Sequence, residues 1–399
     1  MSPFIQLTLI MAIIILFAKA AGYLSTRIGQ PSVFGELLVG VLLGPTLLDL
    51  THLYFVTDSH LGEVVHEFAE LGVLMLMFLA GLELEFHELA KNTRVSAYSG
   101  VLGVLVPVTF GILIGNASGM PLNQSAFLGL TLGATSVSIS AQTLMELKVL
   151  RSRVGLGLLG AAVFDDVLVI LLLSAFSAVG SGGGLGEIGI ALLKMVAFIS
   201  LSGAFGFYVL PKLTILLSKL PISQGVIAFA LVIMLIYGIS AELLGGMAAI
   251  TGTFMAGMMF GRTVEKRRIE QGFGVLAYGL FVPIFFVDIG LRVDIGELPL
   301  SSLWMFLIIC AAAILGKLIG AGLGAKLGGF SWRESTQVGI GMISRGEVGL
   351  IVATVGISEG FLPTAAFTLI VGMVLVTTLV TPPLLRASFS AKKSAPQEA

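Results

Sequence analysis

The chain has 399 residues, 56% of them hydrophobic and 11% charged, with a formal net charge of −1 and a mean hydropathy of +1.05. A soluble domain carries about 25% charged residues, so this composition excludes an ordinary globular protein and implies an all-α polytopic membrane protein. The near-neutral charge gives no electrostatic case for nucleic acid, a single cysteine (Cys310) excludes an intrachain disulfide, and no cofactor motif or metal-ligand cluster stands out among four scattered histidines.

Thirteen apolar stretches of spanning length are predicted in chain order. They run over about 3–24, 31–50, 62–84, 96–117, 124–146, 153–179, 186–211, 223–241, 243–261, 272–291, 301–323, 334–357 and 361–385. The first has neither a basic n-region nor an A-x-A site, and reads as a retained span rather than a signal peptide. Gly180–Gly186 reads as a flexible loop, and a very tight turn near Glu242 joins two spans. Seventeen of the 22 basic residues fall in alternate connections and the C-terminal tail, and only Arg292 falls in the other set. By the positive-inside rule the N-terminus is then outside and the C-terminus cytoplasmic.

Thirteen spans divide as six, one and six. The second six enters the membrane from the opposite side, which is the condition for an inverted repeat. The repeats cover about 3–180 and 222–388, with a linker helix at 186–211. The fifth span of each half is interrupted, at Gly133–Ser140 and at Gly339–Gly349. Matched interruptions point to a binding site near the midplane.

Asp165 and Asp166 are the only charges in the stretch 154–179. A carboxylate at membrane depth costs at least about 2.5 kcal/mol, and two adjacent ones repel each other. The pair therefore suits binding a cation, carrying protons, or both. Lys317 lies in an otherwise apolar span; it either pairs with one of these aspartates or snorkels to the cytoplasmic interface. Arg345 and Glu347 occupy the second interruption, where Glu347 either ligands the ion or pairs with Arg345 to hold the segment. Thr135, Ser136 and Ser138 occupy the first, where hydroxyls and freed carbonyls suit a hard monovalent cation but equally serve to satisfy broken backbone. Asp288, near the outer end of its span, is a candidate for an outer funnel. Glu36 and Glu70 read as interfacial.

The ordered set Gly29-Gln-Pro-Ser-Val-Phe-Gly-Glu36, Gly40-Val-Leu-Leu-Gly-Pro45, Phe78-Leu-Ala-Gly-Leu-Glu83, Ala134-Thr-Ser136, Phe164-Asp-Asp166, Pro283-Ile-Phe-Phe-Val-Asp-Ile-Gly-Leu291, Lys317 and Ser344-Arg-Gly-Glu347 resembles the bacterial monovalent cation:proton antiporter-2 family, the Kef/Nap-type exchangers. The resemblance covers essentially the whole chain. It implies a sodium/proton antiporter-like fold with two crossing discontinuous helices, an exchanger domain over 1–388 and a short cytoplasmic tail at 389–399. It also implies a homodimer in the lipid of a bacterial inner membrane and an elevator-type exchange of a monovalent cation (Na⁺ first, K⁺ or Li⁺ as alternatives) for H⁺. Carried over by position, Asp166 is the principal ion and proton carboxylate, Asp165 pairs with Lys317, Thr135 and Ser136 lie beside the site, and Glu347 and Arg345 support the second crossing. No cofactor and no enzymatic activity are expected. An acidic pair in this span is associated with electrogenic members of the family. The rival readings are a Kef-type K⁺ efflux system and a small organic substrate/proton transporter. An aspartate at 165, where Kef-type proteins commonly carry glutamine, and the short tail weigh against the first. The acidic pair weighs against an anionic substrate.

Overall fold

A computed structural model of the chain describes residues 2–54, 56–84, 92–181, 185–292, 302–358, 361–362 and 364–390. In chain order the helices are α1 (Pro3–Arg27), α2 (Ser32–Leu43), α3 (Leu61–Glu83), α4 (Thr93–Ala117), α5 (Leu122–Gly133), α6 (Val137–Glu146), α7 (Arg153–Ser181), α8 (Leu185–Tyr208), α9 (Leu210–Ser218), α10 (Gly225–Leu243), α11 (Ala249–Phe260), α12 (Lys266–Leu276), α13 (Val282–Leu291), α14 (Leu303–Leu327), α15 (Trp332–Gly341), α16 (Glu347–Ser358) and α17 (Thr364–Ser390). A 3₁₀ turn at Leu50–His52 and a π turn at Ala277–Phe281 complete the described elements. No strand occurs among the described residues. In a bilayer each backbone N–H and C=O must be met within its own segment, and helices do this.

Among the described residues nine helical segments are long and apolar enough to cross a membrane. They answer nine of the thirteen predicted spans. The other four appear as shorter helices, and these fall at the second and fifth places of each predicted six. The stretch 31–50 is helical only as α2, which ends before Gly44-Pro45 because proline disfavours helix in the residue before it. The stretch 243–261 is helical only as α11, after a turn in which Gly246 takes φ +61°. The stretches 124–146 and 334–357 are each two half-helices, α5 with α6 and α15 with α16. The predicted loop Gly180–Gly186 is narrower than expected: α7 continues to Ser181 and α8 starts at Leu185, and the glycines between lie outside the described residues. The predicted tail 389–399 lies outside them beyond Ser390.

The chain forms two compact units. One comprises Met1–Lys19, Val39–Lys91 and Asp166–Arg292; the other comprises Ala20–Leu38, Asn92–Asp165 and Val293–Ala399. In the first, α3 packs on α11 and α13. The α3–α11 crossing depends on two glycines: a Cβ on Gly81 would lie 2.1 Å from the Phe254 carbonyl oxygen, and one on Gly257 would lie 2.1 Å from that of Phe78. Removing both Cβ atoms lets the backbones touch, which is how helices gain van der Waals contact where lipid offers no hydrophobic drive. Pro283, at the start of α13, has no N–H to give to the preceding turn, and the π turn lies directly before it.

In the second unit α4 and α14 pack along their length, α5 lies on α4, α15 on α14, and α16 on α5. The half-helices α5 and α15 are thereby each held by a full-length helix. Ser331 starts α15 with a capping box, donating to and accepting from Glu334, which fixes where this half-helix begins.

Candidate ion site

The two interruptions are bonded to each other. α5 stops at Gly133, Ala134 and Ser136 are extended (ψ 148° and 111°), and α6 resumes at Val137. Ser136 N donates to Ser344 O at 2.9 Å, and Ser344 Oγ donates back to Ser136 O at 2.6 Å. Ser140 Oγ donates to Gly341 O at 2.5 Å. Serines favour such local bonds over helix continuation, and here each break satisfies the other. The contact requires glycine at 346: a Cβ there would lie 2.7 Å from both Cβ and Oγ of Ser136.

Arg345 is fully buried in the second break. Its guanidinium donates to Leu132 O at 2.6 Å, to Ala313 O at 2.9 Å and to Ile343 O. Leu132 and Ile343 sit at the C-terminal ends of α5 and α15, where unsatisfied carbonyls carry partial negative charge. A fixed cation therefore neutralises two half-helix ends at once. The Arg345 carbonyl in turn accepts from Thr378 Oγ1 at 2.6 Å. Glu347, expected beside Arg345 in unwound chain, instead opens α16, and its side chain lies outside the described residues.

Asp165 and Lys317 are completely buried, with Lys317 Nζ 2.6 Å from Asp165 Oδ1. Snorkelling does not describe this lysine, because its ammonium is enclosed against a carboxylate. Asp165 Oδ2 and Thr135 Oγ1 are buried and make no hydrogen bond. A buried carboxylate oxygen left without a donor is chemically suited to a proton or a hard cation. Ser136, by contrast, is committed to the break: its Oγ shares a hydrogen bond with Ser138 Oγ at 2.9 Å.

Asp166 follows in the chain but belongs to the other compact unit. It is 5% exposed, and Oδ2 accepts from Thr251 Oγ1 of α11 at 3.0 Å. Adjacent helix positions point about 100° apart, so the two carboxylates have different surroundings. Sequence reasoning missed Thr251 and Thr378. Their only signal was a hydroxyl in an apolar helix, which many threonines share. Glu36, read as interfacial, is buried at 5% exposure. Asp288 lines a cavity of about 540 Å³ with His66, Glu67 and Arg292. Glu70 is 3.1 Å from His66 Nε2.

The family described as sodium/hydrogen exchanger, transmembrane, matches residues 12–388. The chain belongs to the sodium/hydrogen exchanger family. The exchanger is 40% identical over 385 residues to the Na(+)/H(+)-K(+) antiporter GerN of Bacillus cereus, covering 96% of each chain. It is 36% identical over 379 residues to a Na(+)/H(+) antiporter of Enterococcus hirae, covering 94% of this chain and 96% of that one. The solved structure of the sodium proton antiporter MjNhaP1 from Methanocaldococcus jannaschii at pH 8 superposes with a TM-score of 0.67 at 17% identity, over 97% of this exchanger and 99% of that chain. The fold is therefore shared across a wide sequence distance. These relatives are transporters, and the exchanger is a multi-pass membrane protein.

Proposed function

We propose that the exchanger swaps a monovalent cation, sodium first, for protons across a bacterial inner membrane, in the antiporter-2 (Kef/Nap-type) branch of its family. The observation that carries this reading is the buried charge set of Asp165, Lys317 and Arg345 around two interlocked helix breaks. Such a set is costly, and outside ion or proton translocation it has little use in a bilayer. Asp166 is the principal carboxylate, loaded by either a cation or protons. Asp165 and Lys317 balance charge, Thr135 and Ser136 lie beside the ion as binding residues, and Arg345 with Glu347 supports the second break. Potassium stays within the substrate class, since one relative at 40% identity is called a Na(+)/H(+)-K(+) antiporter.

The whole-chain features form part of the same reading. The N-terminus is outside and the C-terminus cytoplasmic. Residues 1–388 form the exchanger domain as inverted repeats, and the working unit is a homodimer in lipid. Access alternates by an elevator motion, and exchange is electrogenic. The positions of the four short or broken helices support the repeat, because they recur at equal places in both sixes.

The test is proton flux in proteoliposomes with sodium, lithium and potassium offered in turn. Cation-dependent flux is expected in the parent and none in Asp166→Asn, which keeps the shape and removes the titratable charge. Parent-like flux in that variant would move the ion away from Asp166.

A further inference from the structure

Threonines in these helices usually spend their hydroxyl on their own backbone. Thr143, Thr214 and Thr377 donate to the carbonyl four residues back, and Thr253 to the one three back. Thr251 differs. It sits in the first turn of α11, where its fourth preceding residue, Met247, is outside the helix, and its hydroxyl reaches Asp166 Oδ2 at 3.0 Å. Both residues are buried, at 4% and 5% exposure. A neutral hydroxyl aimed at a buried carboxylate has two uses. It stabilises the empty, ionised state, and its oxygen stays available to something placed between them.

We propose that Thr251 is a specificity-determining ligand of the transported cation, its hydroxyl oxygen and Asp166 Oδ2 holding the ion together. The inference rests on Asp166 being the ion carboxylate. A hydroxyl has one proton and two lone pairs. With the carboxylate ionised, the hydroxyl donates to Oδ2 across the 3.0 Å contact. When a cation sits on Oδ2, rotation about the Cβ–Oγ bond turns the proton away and presents a lone pair. The two oxygens are near enough to touch one ion of the hard, oxygen-seeking class. When Asp166 carries a proton instead, no second oxygen ligand is needed. Thr251 therefore acts on the cation branch of the cycle and hardly on the proton branch. Ion preference depends on the number and field strength of such ligands, so losing one penalises lithium and sodium more than potassium.

The experiment measures sodium and potassium KM and Vmax for exchange in proteoliposomes for the parent, Thr251→Val, Thr251→Ser and Asp166→Asn, together with detergent melting temperatures. Thr251→Val is expected to raise the sodium KM about tenfold, the scale of one lost polar contact to a charged group. The potassium KM rises less, Vmax is kept, and Thr251→Ser stays near the parent. If valine inserts poorly, Thr251→Ala is read the same way. A sodium KM equal to the parent in the valine or alanine variant, with Asp166→Asn silent, overturns the inference and leaves the antiport reading standing. Equal KM changes in the valine and serine variants also overturn it, because then methyl packing and not the hydroxyl matters. Exchange surviving in Asp166→Asn overturns the placement of the cation and the inference with it.

Discussion

A fully buried lysine in an apolar helix keeps its charge only against a partner, and Lys317 has Asp165 Oδ1 at 2.6 Å with both side chains at 0% exposure. Pairing of this kind adds little net stability over an apolar pair, but breaking it strands a charge and costs about 3–5 kcal/mol. Lys317→Ala is therefore expected to lower the melting temperature markedly. The double variant Asp165→Asn with Lys317→Met, which removes both charges at similar volume, should recover most of that loss. Thermal melts of the purified protein check this; equal melting of the parent and Lys317→Ala would mean that the pair contributes nothing to the fold. These residues were legible in the sequence because a charge in an apolar run is expensive and so conspicuous. Their pairing was legible only as one of two readings, since snorkelling and burial look alike in one dimension. Thr251 and Thr378 were not legible at all. A threonine's identity does not say whether its hydroxyl turns inward to its own helix or outward to another, and that depends on which carbonyls the local backbone leaves open.

The half-helices derive from small and hydroxylated residues. Gly133 ends α5, serines at 136, 138 and 140 offer bonds that compete with the helix, and Gly346 lets Ser136 approach. Gly346→Ala places a methyl group 2.7 Å from Ser136 Cβ and Oγ, so one break must move. Overpacking of this sort costs roughly 1–3 kcal/mol, and proton flux should fall with stability because the same segment carries Arg345. Ser136→Gly removes the opposing atoms. Combined with Gly346→Ala it should melt higher than the sum of the single losses implies; strictly additive losses would show that the clash is not the cause. The interruptions were legible as Gly- and Ser-rich stretches inside spanning-length runs. Their extents were not: the true breaks are Ala134–Ser136 and Met342–Gly346, shorter than the composition suggested, because Val137 and Glu347 already carry helical backbone. Composition marks where a helix can stop, whereas hydrogen bonds between the two breaks decide where it does. The shortness of α2 and α11 was also hidden, since apolar residues continue past each helix end and hydropathy does not register the turn.

Across the whole molecule the charges divide into two kinds. Basic residues in alternate connections carry the proposed orientation, a reading that depends on counts rather than contacts. On the proposed reading the buried set lies within the electric field of the membrane, so its titration would decide how the exchanger responds to potential. Suppose two of the charges at Asp165, Asp166 and Lys317 change protonation in each cycle. Then two protons cross for one monovalent cation, and one net charge moves per turnover. Each such charge feels about 2.3 kcal/mol per 100 mV. A single titrating carboxylate would instead trade one proton for one cation and feel no net electrical drive. The enclosure of Lys317 against Asp165 favours the first case, because a proton or cation that takes this carboxylate weakens the 2.6 Å contact and with it the lysine's hold on its own proton. Exchange is therefore expected to be electrogenic. The check uses sealed proteoliposomes with an imposed potassium diffusion potential and sodium or lithium as test cation. An interior-negative and an interior-positive potential should drive exchange to different rates and end points, and Lys317→Ala, with one titrating group fewer, should lose much of that difference. Rates and end points that ignore the sign of the potential would leave one active carboxylate and a one-for-one exchanger.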